Sequence, residues 1–196
     1  MFGPLKNWSH FCRMLHKTIS VLPHVTYMVT LVLFRMGMHI DYSCADIVGE
    51  GIHVANVHDV AAFILKHSGS MTAMKLQKLV YYSQAWGLVW DEEPLFPERV
   101  EAWANGPVVR ELYDVHRGQF RVSAHKLGNP DALTDEESNT VRSVLSFYGK
   151  LASQQLSDLT HREVPWRDAR VGLEPGERGN REITHESMAE YYSSLP

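Results

Sequence analysis

The fold is decided by one stretch, Met74-Lys75-Leu76-Gln77-Lys78-Leu79-Val80-Tyr81-Tyr82-Ser83-Gln84-Ala85-Trp86. Apolar residues recur there every three or four positions, which predicts an amphipathic helix whose buried stripe is Leu76, Leu79, Val80, Ser83 and Trp86. The run Asp91-Glu92-Glu93-Pro94 ends this helix near Trp90. Lys75 and Lys78 fall away from the stripe, so both are expected on the solvent-exposed face.

The chain continues into a second block, Glu101-Ala102-Trp103-Ala104-Asn105-Gly106-Pro107-Val108-Val109, which reads as a short extended run into a turn. Pro107 suits the first position of a helix, because the N–H that proline lacks would have no partner there. A third helix is therefore predicted from Pro107 to about His116. Pro94 and Pro97 keep the preceding residues non-helical, so one or two extended pieces are expected before it.

Residues suited to N-caps indicate where four of the helices begin: Asn56, Thr72, Thr134 and Thr184. Glu137 lies three residues after Thr134 and completes a capping box. Two short helices are expected between residues 153 and 169. The predicted fold class is therefore mainly α, a compact helical domain with a small extended or β element between the second and third helices.

Length and charge limit the class of protein. The 196 residues carry a net charge of −4 and no lysine- or arginine-rich stripe, so a nucleic-acid partner is not expected. The apolar run 25–34 is shorter than the roughly 20 residues that a membrane-spanning helix needs, so no membrane segment is expected either. Cys12 and Cys44 show no metal-ligand spacing and are interpreted as free thiols of a cytoplasmic protein.

No sequence pattern of catalytic, metal-binding or cofactor-binding residues is present. The nearest to one is His161 with Asp168, because histidine is the usual general base near neutral pH. Their spacing fits no such signature, so a structural role is favoured, and neither a metal nor a cofactor is predicted. His185 is expected to be exposed. The remaining histidines of interest are scattered along the chain: His53, His58, His67, His116 and His125.

Tryptophan and tyrosine form the richest chemical set, since large aromatic side chains serve either a core or a protein interface. Trp86 and Trp103 are expected mainly in the core. Tyr82, Trp90 and Tyr113 are the candidates for a partner-binding surface. Trp166 joins these candidates, although its sequence context favours neither role.

The two blocks also carry a family resemblance. They are similar to the Panacea domain, or SocA-like antitoxin domain, at Lys75, Leu76, Gln77, Lys78, Tyr81, Trp86, Trp103, Gly106, Pro107 and Val108. The resemblance runs from about residue 54 to the C-terminus. It implies an antitoxin of a bacterial or prophage toxin–antitoxin pair, which neutralises a protein toxin encoded in an adjacent gene. It also implies an alternative, because at least some members deliver the toxin to an ATP-dependent protease.

The sequence thus leads to a domain division and to three functional hypotheses. Residues 54–196 are interpreted as the antitoxin domain, and residues 1–53 as an N-terminal extension that is poorly ordered or not native. The residues before about Met38 are hypothesised to result from translation at an upstream start codon and not to belong to the native protein. The leading hypothesis is a non-enzymatic antitoxin that binds its toxin directly in the cytoplasm. The alternatives are a proteolytic adaptor and a small hydrolase that uses His161 and Asp168.

Overall fold

A computed structural model of the protein describes residues 55–195. The interpretations of residues 1–53, including their thiols and apolar run, lie outside this range. The described helices are α1 (Val57–Ser68), α2 (Ala73–Trp90), α3 (Arg110–His116), α4 (Asp135–Tyr148), α5 (Ser153–Thr160), α6 (Val164–Ala169) and α7 (His185–Ser193). The described strands are β1 (Met71–Thr72), β2 (Val100–Trp103), β3 (Gly106–Val109), β4 (Arg121–Val122) and β5 (Glu182–Ile183). The mainly α fold class is confirmed.

Local capping chemistry places the starts of four helices where the sequence predicts them. Asn56 Oδ1 accepts hydrogen bonds from the backbone N–H groups of His58 and Asp59, and the Asn56 backbone N–H donates to Asp59 Oδ2. Three threonine hydroxyls cap helices in the same way, at Thr72, Thr134 and Thr184. Each cap satisfies backbone N–H groups that have no partner inside the helix.

Helix α2 lies at the centre of the domain and is buried on all sides from Leu76 to Ala85. The helices α1, α4 and α7 and the strand β3 pack around it. The prediction of a one-sided amphipathic helix is therefore wrong, because a helix covered all round has no solvent-exposed face to receive its polar residues. None of the described helices is long and apolar enough to cross a membrane.

The small β element lies between α2 and α3, as predicted. Strands β2 and β3 form an antiparallel hairpin in which Ala102 is opposite Pro107, and β5 pairs with the other side of β2. The prediction that Pro107 opens the third helix is wrong, since it lies in β3 and α3 begins at Arg110. Proline is tolerated there because β3 is an edge strand of this sheet.

A second pair of strands, β1 and β4, joins the start of α2 to the segment after α3. Met71 lies opposite Val122, and Thr72 lies opposite Arg121. This pairing holds the residues that follow α3 against the N-terminal end of α2. The two short strands therefore fix the position of the loop that contains Phe120.

Candidate functional site

The two sequence blocks meet in space, and Gln77 joins them. Gln77 Oε1 accepts a hydrogen bond of 2.9 Å from the Val109 backbone N–H, and Gln77 Nε2 donates one of 3.1 Å to the Val109 carbonyl oxygen. Both bonds are buried. The last residue of β3 thus has its backbone groups satisfied by a side chain of α2, as buried polar groups require.

Lys78 makes the second connection between α2 and the hairpin. Its side chain is buried, with 1% of the residue exposed, and Nζ donates a hydrogen bond of 2.9 Å to the Pro107 carbonyl oxygen. Burial lowers the pKa of Lys78 to about 7. The prediction that both lysines are solvated is wrong: Lys75 is half-buried, and its Nζ donates to the Gly149 carbonyl oxygen at 2.7 Å.

Gly106 lies in the hairpin beside the Lys78 side chain. Its φ of +102° is a conformation that favours glycine, and a Cβ there would lie 2.7 Å from Lys78 Cε and 2.8 Å from Thr160 Oγ1. The glycine of the second block and the lysine of the first block therefore fit against each other. This contact explains why these residue types occur together.

A groove of about 1090 Å³ opens beside this junction, between the start of α2, the hairpin, α3 and the loop 176–180. Trp103 and Tyr113 form part of its wall, with ring centroids 4.7 Å apart in an edge-to-face arrangement. Phe120, which is 79% exposed, and Met74 add apolar surface at the groove. Trp103 was expected in the core, but it is half-buried because one side of it faces this groove.

Charged side chains surround the aromatic wall of the groove. Arg110, Arg117 and Arg178 line it and are exposed. Glu101 also lines it but is buried, and its Oε2 accepts a hydrogen bond of 2.7 Å from Trp103 Nε1. The groove therefore combines an aromatic surface with arginine side chains that remain in contact with solvent.

Tyr82 was predicted to serve a partner-binding surface, and the structure contradicts this because Tyr82 has no exposed surface. It lies on the buried part of α2 and stacks on Tyr148, with ring centroids 3.9 Å apart. Its hydroxyl donates a hydrogen bond of 3.1 Å to Glu163 Oε1, and the Tyr192 hydroxyl donates one of 2.7 Å to Glu163 Oε2. Burial raises the pKa of Glu163 to about 7, despite these two hydrogen bonds.

The other three predicted partner-binding residues lie in different places. Tyr113 is half-buried in the groove wall. Trp166 lies beside the groove residue Trp103, since its Nε1 donates a hydrogen bond of 3.0 Å to the Trp103 carbonyl oxygen. Trp90 is 49% exposed at the far end of α2 and stacks on Trp86, with ring centroids 4.7 Å apart. Of the four candidates, only Tyr113 lines the groove.

In the part of the chain that the structure describes, residues 55–195, no hydrogen bond or ion pair joins His161 to Asp168. His161 stacks on Trp166 with ring centroids 4.1 Å apart, whereas Asp168 is exposed. Burial is the main cause that lowers the pKa of His161, and the positive charge of Lys78 adds to it. His185 was expected to be exposed but is half-buried, and its Nε2 lies 2.9 Å from Gln84 Nε2.

Three histidines that look scattered in the sequence form a cluster in the structure, which the sequence reasoning missed. His58 Nδ1 lies 3.0 Å from His125 Nε2, and His125 Nδ1 lies 3.0 Å from His116 Nε2. His58 and His125 are 67 positions apart, so no local spacing could indicate the contact. Across residues 55–195, no group of three His, Cys, Asp or Glu side chains is placed to hold a metal ion.

Comparison with known proteins gives one match. No curated protein and no solved structure matches the chain. Residues 76–167 match the family described as "Antitoxin SocA-like, Panacea domain". This range includes most of α2, the whole hairpin and the helices α3 to α5, and it is shorter than the range over which the sequence resembles the family. The resemblance is nevertheless confirmed over residues 76–167, which are similar to this SocA-like Panacea domain family.

Proposed function

We propose that this protein is an antitoxin that neutralises a protein toxin encoded in an adjacent gene, and that the toxin binds in the groove between α2, the hairpin and α3. The family match supports the class of function. The observation that carries the position of the site is the groove itself, because it is lined by tryptophan, tyrosine and arginine. These three residue types dominate the energetics of protein–protein interfaces.

The exposed apolar residues of the groove support a protein partner. Phe120 and Met74 are exposed and do not contribute to the core. Exposed apolar surface of this kind is stabilised when a partner covers it. Trp90 belongs to a different face of the domain. It lies thirteen positions after Gln77 on α2, which at 1.5 Å per residue places it roughly 20 Å along the helix from the groove.

A pair of matched variants tests the position of the site. Phe120 in the groove is 79% exposed and Phe147 on α4 is 72% exposed, so replacing either with alanine leaves the core intact. Phe120→Ala should weaken co-purification with the adjacent-gene product and reduce growth rescue in cells that express it. Phe147→Ala should leave both unchanged. Equal effects of the two variants would contradict the groove as the binding site. Failure of the wild type to bind the adjacent-gene product would refute the antitoxin function.

The intracellular half-life of the toxin separates direct neutralisation from delivery to a protease. Direct neutralisation leaves the intracellular half-life of the toxin unchanged when the antitoxin is present. A half-life that shortens only when an ATP-dependent protease is present would identify the protein as a proteolytic adaptor instead. In either case the site of action that we propose is the cytoplasm, where toxin and antitoxin are both synthesised.

We also propose that residues 54–196 form the functional unit and that the preceding region is an extension. The family match lies entirely within this unit. N-terminal sequencing of the natively expressed protein tests the part of this proposal that concerns the start. A mature N-terminus near Met38 agrees with it, whereas a mature N-terminus at Met1 would end the hypothesis of an upstream start codon.

A further inference from the structure

The charge of the groove differs in sign from the charge of the whole chain. The chain has a net charge of −4. The side chains that line the groove include Arg110, Arg117 and Arg178 but a single carboxylate, that of Glu101. Such a local excess of one charge attracts a partner surface of the opposite sign and speeds its association.

Two carboxylates at or near the groove, those of Glu101 and Asp114, are held by partners within the domain. Glu101 Oε2 accepts from Trp103 Nε1, and Glu101 Oε1 lies 3.7 Å from Arg99 Nε. Asp114 is shared between Arg117, at 2.6 Å, and Arg110, at 3.7 Å. One carboxylate between two guanidinium groups leaves one positive charge in excess, and Arg178 on the opposite loop adds another.

The aromatic residues of the groove define the second half of the recognition chemistry. Trp103 and Tyr113 are held edge to face, and the guanidinium of Arg117 lies 5.5 Å from the centroid of the Tyr113 ring. Phe120 and Met74 offer exposed apolar surface to the same space. A segment that binds here therefore meets arginine donors and an apolar wall together.

We propose, building on the antitoxin function above, that the groove binds an acidic segment of the toxin that also carries an aromatic or aliphatic anchor residue. Carboxylates of this segment contact Arg110, Arg117 and Arg178, and its apolar anchor packs against Trp103, Tyr113 and Phe120. Arginine suits this role because its planar guanidinium can donate two parallel hydrogen bonds to one carboxylate.

Single-stranded nucleic acid is the other macromolecule that arginines and aromatic rings bind. The groove fits it less well, because the carboxylates of Glu101 and Asp114 lie at the groove or on its rim, where a phosphate chain would pass. The acidic balance of the whole chain opposes a polyphosphate as well. A short acidic peptide places its fewer charges opposite the arginines alone.

The test is a charge-reversal pair measured with the full-length protein and the adjacent-gene toxin. The groove variant is Arg110→Glu with Arg178→Glu, and the control is Arg162→Glu with Arg167→Glu, whose arginines are exposed outside the groove. The two variants change the net charge equally. The groove variant should bind the toxin at least about tenfold more weakly, and the control should bind within about twofold of the wild type. Melting temperatures of both variants check that the fold is kept.

Two peptide probes and an oligonucleotide complete the experiment. A peptide of glutamate residues around a central Trp-Leu pair should compete with the toxin, whereas the same peptide with lysine in place of glutamate should not. Toxin binding that is equal in both arginine variants, or competition by oligothymidylate but not by the acidic peptide, would overturn this inference and leave the antitoxin function standing. Failure of the wild type to bind the toxin at all would instead refute the antitoxin function on which it rests.

Discussion

Single residues of the two motif blocks are explained by the contact between α2 and the hairpin. Gly106 has a positive φ and faces the Lys78 side chain and the Thr160 hydroxyl. Gly172 has a similar φ of +83°, but nothing lies within 4 Å of the position that its Cβ would take. Alanine substitutions at these two glycines therefore separate the free-energy cost of the backbone conformation from the free-energy cost of crowding.

We expect Gly106→Ala to destabilise the protein by about 1–3 kcal/mol more than Gly172→Ala, because overpacking adds to the φ penalty that both variants share. Urea unfolding of the two variants and the wild type measures this difference. Equal losses of unfolding free energy would contradict the close packing of Lys78 against the hairpin turn.

Lys78 also predicts a pH dependence of stability. Burial lowers its pKa to about 7 in the folded protein, from the ordinary value of 10.5 that applies to the unfolded chain. Between these two pH values the unfolded chain holds a proton that the folded protein has released, so the unfolding free energy rises with pH. In Lys78→Met this contribution is absent, and the rise in unfolding free energy above about pH 7 should be smaller than in the wild type. Lys75→Met serves as the control, and parallel curves for Lys78→Met and the wild type would contradict the burial of a titrating amine.

Helix boundaries and helix environments differ in how far the sequence could predict them. The N-caps at Asn56, Thr72 and Thr134 were predictable because each involves a side chain and a backbone N–H within three residues. The burial of Lys78 and Tyr82 was not predictable in this way, since it depends on which helices pack around α2. Pro107 was assigned to a helix because its place in an edge strand is fixed by contacts outside its own segment. These contacts are its pairing with β2 and the hydrogen bond that its carbonyl oxygen accepts from Lys78.

The candidate site was predictable only in part, because it combines residues that stand out by type with residues that distant segments bring together. Tyr113 and the motif residues of the hairpin stand out in the sequence by type, and they lie at the groove or in its support. The arginine side of the groove comes from α3 and from the loop 176–180, which are far apart in the sequence. No local spacing indicates that Arg110 and Arg178 line one groove. The histidine cluster was missed for the same reason.

The histidine cluster links α1, α3 and the segment that follows β4. Burial and the neighbouring histidines His116 and His58 lower the pKa of His125 to about 4, while Asp59 acts in the opposite direction. Unfolding restores the ordinary value of 6.5, so the unfolded chain takes up protons first as the pH falls. The cluster therefore lowers the unfolding free energy as the pH falls from about 6.5 to about 4.

We expect the fall in unfolding free energy with decreasing pH to be smaller in His125→Gln than in the wild type, because glutamine does not titrate. Urea unfolding at several pH values between about 4.5 and 7 measures it. The comparison must be between variant and wild type, since the raised pKa of Glu163 contributes a slope of opposite sign between pH 4.5 and about 7. Identical slopes for the two proteins would contradict the proposed role of the cluster.

The whole domain is a helical body built around a buried central helix, with its aromatic and arginine groove on one side and Trp90 at the far end of that helix. Within this domain, residues 76–167 are similar to the SocA-like Panacea domain family. Outside the groove, the large apolar side chains that remain exposed in described helices include Trp90, Phe147 and Val164. Of these exposed surfaces, we propose the groove as the place where the toxin binds.

Hydrogen–deuterium exchange of the protein, alone and saturated with the adjacent-gene toxin, tests this assignment most directly. Bound toxin should slow amide exchange in β3, in α3 and in the segment from Arg117 to Phe120. Exchange at the C-terminal end of α2 and in α4 should not change. Slowed exchange around Trp90 and Phe147, with the groove unaffected, would contradict the account.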